Sequence, residues 1–171
     1  MKLPIWITNT KLHTRILLAI LALIIVSAFV MIIRQHQGTT INQNWEHTKI
    51  TFIGTTWDAS VTLDVDIADT PNKQEYGLMF RWQMNWGFGM LFVFEDEQIR
   101  YFWMKNTYIP LDMIFVNSTW TIVSIRVGAE SMNETPVSSI FPAKYVIETN
   151  SWWTMKAWLQ PGMKVDLSKI K

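Results

Sequence analysis

The chain of 171 residues carries 15 Lys and Arg against 14 Asp and Glu, a net charge of +1, and is 49% hydrophobic. This balance excludes a basic surface for nucleic-acid phosphates, and no Lys/Arg cluster with interleaved aromatics occurs. Cysteine is absent, which excludes disulfides, thiolate metal sites and a thiol nucleophile together.

In chain order, Ile16 to Ile33 is an uncharged apolar run, about 27 Å long as a helix and so just able to cross a bilayer. Lys2, Lys11 and Arg15 precede it, and only Arg34 follows before Lys49. The positive-inside bias therefore places residues 1–15 in the cytoplasm and residues 34–171 outside. The expectation is a single-pass anchor over 16–33 with the membrane as its partner; the alternative is a cleaved signal peptide and secretion. Residues 34–47 are polar without apolar periodicity and read as a tether.

A β domain is expected over 48–171. Lys49 to Ile53 reads as a strand, and Val61, Leu63, Val65 and Ile67 alternate with Thr62, Asp64 and Asp66 as a half-buried strand with a wet outer face. Thr70 offers an N-cap, Pro71 the first helical position and Gly77 a left-handed stop, which predicts a helix over 71–76. Met90–Phe94 and Ile99–Met104 flank an acidic connection, Glu95 to Gln98, suited to an antiparallel hairpin. Leu111–Val116 and Thr121–Val127 form a second hairpin around 117–120, Lys144–Thr149 a late strand, and 154–159 a helical turn. About seven short strands with one or two short helices predict an all-β fold, a compact antiparallel barrel or sandwich.

The stretch Phe102 to Phe115 joins two apolar runs through a polar, proline-bearing corner. All three histidines, His13, His36 and His47, precede residue 48, so a conventional zinc site or a His-dependent triad is not expected in the domain. Met79, Met84, Met90 and Met104 lack a Met-x-Met or His-Met cluster and read as core filler; no metal or cofactor is implied. The candidate site residues are Arg81, Lys105, Asn106, Thr107, Asp112 and Glu148. Two readings stay open. In one, Arg81 and Lys105 supply charge to an anion pocket, Asn106 and Thr107 supply hydrogen bonds, and Asp112 or Glu148 orients a cation. In the other, Arg81 and Lys105 pair with Asp112 and Glu148 to hold the corner.

The strings Thr70-Pro71, Gly77-Leu78-Met79-x-Arg81, Gly89-Met90-Leu91-Phe92-Val93-Phe94, Phe102-Trp103-Met104-Lys105-Asn106-Thr107, Ile109-Pro110-Leu111-Asp112 and Tyr145-Val146-Ile147-Glu148 are similar to the uncharacterised family DUF 192. The resemblance covers roughly residues 58–167. It implies a small, mostly β, often exported domain with no agreed catalytic activity. The leading functional reading is a non-enzymatic module for a small anionic ligand or an envelope partner. The alternatives are a hydrolase- or lyase-type enzyme using Lys105 with Asp112 or Glu148, and a structural envelope component.

One departure stands out: Trp120, Trp152 and Trp158 occupy turns where that family carries glycine, whereas Trp103 matches a family tryptophan. Ten Trp against seven Gly inverts the ordinary ranking. The expectation is that these three positions need φ > 0 and are glycines whose UGA codons have been rendered as tryptophan. The alternative is a Trp-rich surface near the membrane.

Overall fold

The β pattern begins at Glu46, two residues before the expected domain start, so His47 lies in the first strand. The computed structural model describes residues 6–36, 44–54 and 60–170, in two units, residues 1–43 and 44–171. The first is α1, Trp6–His36, in which Thr14–Met31 has a mean hydropathy of 2.5, long and apolar enough for a membrane span or a signal sequence. Its apolar side chains are exposed over Ile16–Met31, as a helix without a protein core of its own would have them. The expected tether falls mainly on residues 37–43, outside the described residues.

The second unit is a seven-stranded sheet curled into a half-barrel. In chain order it contains β1 (Glu46–Ile53), β2 (Val61–Ala68), α2 (Pro71–Tyr76), β3 (Phe88–Gln98), β4 (Tyr101–Phe102), β5 (Leu111–Val116), β6 (Ile122–Ala129), β7 (Val137–Ser138), β8 (Ala143–Asn150), α3 (Trp153–Lys156) and β9 (Lys164–Asp166). The sheet order is β6-β5-β8-β3-β2-β1-β9, with β4 and β7 forming a small separate ribbon. The two edges of the large sheet meet at an isolated bridge between Thr121 and Lys164.

The mostly-β architecture and the β5–β6 hairpin are as expected, and α2 matches in both ends. The Thr70 hydroxyl accepts the Lys73 amide, and the Gly77 amide donates to the Lys73 carbonyl at 2.9 Å, with φ at +50°. The first hairpin is overturned. β3 continues through the acidic Glu95 to Gln98 segment, with a register shift against β8 between Val93 and Gln98, and over Gly89 to Phe92 both its edges are taken, by β2 in parallel and by β8 antiparallel. No edge is left for Tyr101–Phe102, which pairs with β7 instead. The β2–β3 pair, reached through α2, is parallel, whereas the remaining pairs are antiparallel. The wet face expected for β2 is also corrected at its end, where Asp66 is buried.

Both faces of the central strands are covered, which fits their unbroken apolar runs. Leu91, Ile114 and Ile147 point into the concave core with Phe52, Leu63 and Trp153. Their neighbours Met90, Phe92, Met113, Phe115 and Val146 point the other way, into a second core closed by Leu78 and Met104. Period-two alternation puts Glu148 on the same face as Val146. Gly89 is what allows β3 to approach β8 here, because a Cβ on it would collide with the Glu148 carbonyl oxygen.

Trp120, Trp152 and Trp158 have φ of 64°, 68° and 55°, in the left-handed region that the sequence reading required.

Candidate functional site

The second core opens to solvent in a cavity of about 400 Å³ beside α2, the end of β3 and the 99–107 segment. Six aromatic side chains contribute to its wall. Phe102 stands edge-on to Phe92 at 5.0 Å, and Tyr76, Phe94, Tyr101 and Trp103 are the other four. The polar groups come from Gln74 and Glu75 on α2, Gln98 at the end of β3, Arg100, Lys105 and Thr107 in the segment that follows, and Glu148 on β8.

Glu148 is the unusual one. It is 4% exposed, and its carboxyl has no hydrogen bond or ion pair among the described residues. Burial pushes its pKa up to about 8, so the group is mainly protonated at neutral pH and offers an O–H donor. A buried polar group without a partner is rare in folded proteins, and one lining a cavity is a candidate site. Lys105 lies at the rim, its Nζ 5.0 Å from the centre of the Trp103 ring, with no ion pair among the described residues. Thr107 is buried and fixes the corner: its amide donates to the Met104 carbonyl at 3.1 Å and its hydroxyl to the Lys105 carbonyl at 3.2 Å.

The structure thus gathers Lys105, Thr107 and Glu148 in one cavity and sends the other three candidates elsewhere. Asn106 supports the corner from behind in a left-handed conformation, with its carbonyl accepting the Phe80 amide at 2.7 Å. Arg81 binds Asp66 at 2.7 Å on the outer side of β2, where His47 stacks on Phe88 and approaches the same carboxylate at 3.4 Å. Asp112 is fully buried as a latch: Oδ1 accepts the amides of Gly128 and Trp152, and Oδ2 accepts the amide and hydroxyl of Thr154. The expected pairing of Arg81 and Lys105 with Asp112 and Glu148 does not form.

Sequence reasoning missed Arg100, a charge inside the apolar string Ile99 to Met104. It is buried, donates from Nε to the Ala143 carbonyl at 3.0 Å, pairs with Asp96 at 2.7 Å, and stacks 3.9 Å over the Phe94 ring. The Arg100 guanidinium holds the Asp96 carboxyl below its usual range. A lone arginine amid strand residues was the available signal. Its spacing of four from Asp96 tells where the chain leaves β3.

Fold and cavity together define a small curled-sheet domain with an aromatic, carboxyl-bearing pocket. Residues 53–167 match the DUF192 family, described as an uncharacterised ACR, and the chain belongs to that family. It is similar to a crystal structure from Sinorhizobium meliloti 1021, provisionally described as a transcription regulator, at 34% identity and a TM-score of 0.69, covering 71% of this chain and 94% of that one. It is also similar to a protein of unknown function from Novosphingobium aromaticivorans at 31% identity and a TM-score of 0.69, covering 72% and 87%. No curated protein is matched.

Proposed function

We propose that the chain is a membrane-anchored, extracytoplasmic binding module that takes a small anionic ligand with an apolar body in the Glu148 cavity, without turning it over. The observation that carries this reading is the buried carboxyl of Glu148, partnerless among the described residues, in a cavity whose rim bears Lys105, which has no counter-ion among them. A protonated Glu148 adds no charge and the other carboxylate of the lining, Glu75, is solvent-exposed on α2, so Lys105 favours an anion at the mouth, Glu148 donates to it, and the aromatic side chains take the apolar body. Arg100 lines the same cavity but is held by Asp96, which leaves Lys105 as the cation available to a ligand. Anchoring through α1 rests on the apolar span Thr14–Met31 and on the basic residues before it.

The test is thermal denaturation of the detergent-purified full chain with benzoate and with inorganic phosphate as probes. Benzoate is expected to stabilise the fold by about 2.7 kcal/mol at a hundredfold excess over its dissociation constant. Lys105→Ala is expected to abolish that gain while leaving the unliganded transition in place. A gain unchanged in Lys105→Ala, or none from either probe, sinks this reading.

A second reading is favoured by the titration of Glu148 near neutrality, where a general acid works best. In it Lys105 and Glu148 act on a bound substrate. Asp112 is not the carboxylate of such an enzyme, because both its oxygens are occupied. Turnover with a pH profile that breaks near 8 and disappears in Glu148→Gln would favour this reading over simple binding. Service as a structural envelope component would instead show as a crosslinked partner that Lys105→Ala and Glu148→Gln leave undisturbed.

A further inference from the structure

Three turns of this domain are built to glycine geometry and carry tryptophan. Trp158 follows α3 in a Schellman arrangement: the Leu159 amide reaches back to the Thr154 carbonyl at 3.0 Å and the Trp158 amide to the Met155 carbonyl at 3.1 Å. The residue in Trp158's place in that motif is left-handed and ordinarily glycine. Trp152 opens α3 at φ 68° and ψ 0°, with no side-chain cap. Trp120 closes the β5–β6 hairpin at φ 64°, beside a register shift between Phe115 and Val116. A left-handed residue next to such a bulge is again ordinarily glycine.

A Cβ makes the left-handed conformation costly, and a large aromatic residue there is a genuine outlier. Packing gives little return at two of the sites, since Trp152 and Trp158 are 58% and 80% exposed. Other bulky residues do occur left-handed, but Phe80, Met132 and Ile140 are single instances of their types, whereas tryptophan recurs three times. The chain also has ten Trp and only seven Gly, where ordinary usage gives about twelve glycines in this length. One substitution rule, glycine to tryptophan, accounts for both the turns and the count.

We propose that positions 120, 152 and 158 are glycines in the protein its host makes, encoded by UGA codons that the host reads as glycine and another genetic code renders as tryptophan. The apolar surface hollow among Trp152, Met155, Lys156 and Trp158 is then no docking site of the native protein. The Glu148 cavity is untouched, because none of the three residues lines it.

The first measurement is peptide mass spectrometry of the protein from cells that carry the gene. Glycine at all three positions is expected; tryptophan at any of them overturns the proposal. The second uses the full chain as written, with Trp152→Gly and Trp158→Gly each expected to raise the Tm by roughly 4 °C or more. Trp86→Gly is the control: Trp86 is exposed and outside the left-handed set, and Lys156 lies 4.4 Å over its ring, so its replacement gives no rise. A Tm that falls or stays level in both variants overturns the steric basis of the proposal.

Discussion

Asp112 and Thr154 meet twice, the Asp112 Oδ2 accepting the Thr154 amide at 3.0 Å and its hydroxyl at 2.6 Å. This contact fastens α3 to the start of β5 and fills the carboxylate with fixed donors. Asp112→Ala is expected to cost about 3 kcal/mol, because it strands buried amides as well as the hydroxyl. Thr154→Val, which removes only the hydroxyl, should cost about 1 kcal/mol. Urea unfolding of the two variants checks the order; equal losses would mean that the amides are satisfied elsewhere.

Glu148 gives stability a pH dependence of opposite sign to that of an ordinary salt-bridged carboxylate. Its folded pKa, about 8, lies above the ordinary 4.5, so between these values the folded state holds a proton that the unfolded state has released. Stability therefore falls as pH rises through that window, by on the order of 3 kcal/mol at pH 7 relative to pH 4. Glu148→Gln removes this term. Its unfolding free energy is expected to exceed that of the parent above pH 7, with a flatter profile between pH 5 and 8 once the shared titrations cancel. Parallel profiles would place the ionisation of Glu148 in its ordinary range.

Gly89 and the Glu148 carbonyl are in close approach across the β3–β8 pair. Backbone on the other side leaves no flexible group to yield, so Gly89→Ala is expected to destabilise by about 1–3 kcal/mol. It should also weaken benzoate stabilisation, since β8 carries the carboxyl. Thermal melts with and without the probe read both effects, and a neutral variant would show that the two strands slide apart without loss.

Arg81 and Lys105 separate stability from binding. Arg81→Ala leaves Asp66 with His47 as its one cationic neighbour among the described residues and is expected to cost about 1–2 kcal/mol, lowered for partial exposure, with benzoate stabilisation intact. Lys105→Ala should do the reverse, leaving the fold and losing the probe. The pair of melts distinguishes a shared site from two unrelated cations.

How much was legible follows from the range of the interactions. Thr70-Pro71 with Gly77 specifies α2 through contacts within one turn, and the β5–β6 hairpin follows from alternation on both sides of a short polar loop. The strand from Met90 was legible as a strand but not in its partners. Whether Glu95 to Gln98 turns back or runs on depends on β2 and β8 already holding both edges of Gly89 to Phe92, which adjacent residues do not encode. The site divides the same way. Glu148 in a β-branched, apolar string and Lys105 in a polar corner announced themselves, whereas Asp112 next to that corner looked equivalent. Its donors Gly128, Trp152 and Thr154, distant in sequence, reveal that Asp112 is structural. Arg81 was assigned to the corner by its charge; its partner Asp66 lies on a strand that reads as solvated.

The seam between Thr121 and Lys164 has a bearing on assembly. Lys164 donates from Nζ to the Thr119 carbonyl at 2.9 Å and to the Thr121 hydroxyl at 2.7 Å, so a cationic clip covers the place where the sheet would otherwise end in open backbone. Open sheet edges are the usual route by which β proteins recruit a foreign strand or one another. A neighbour seeking to extend the sheet at this seam must first undo the clip.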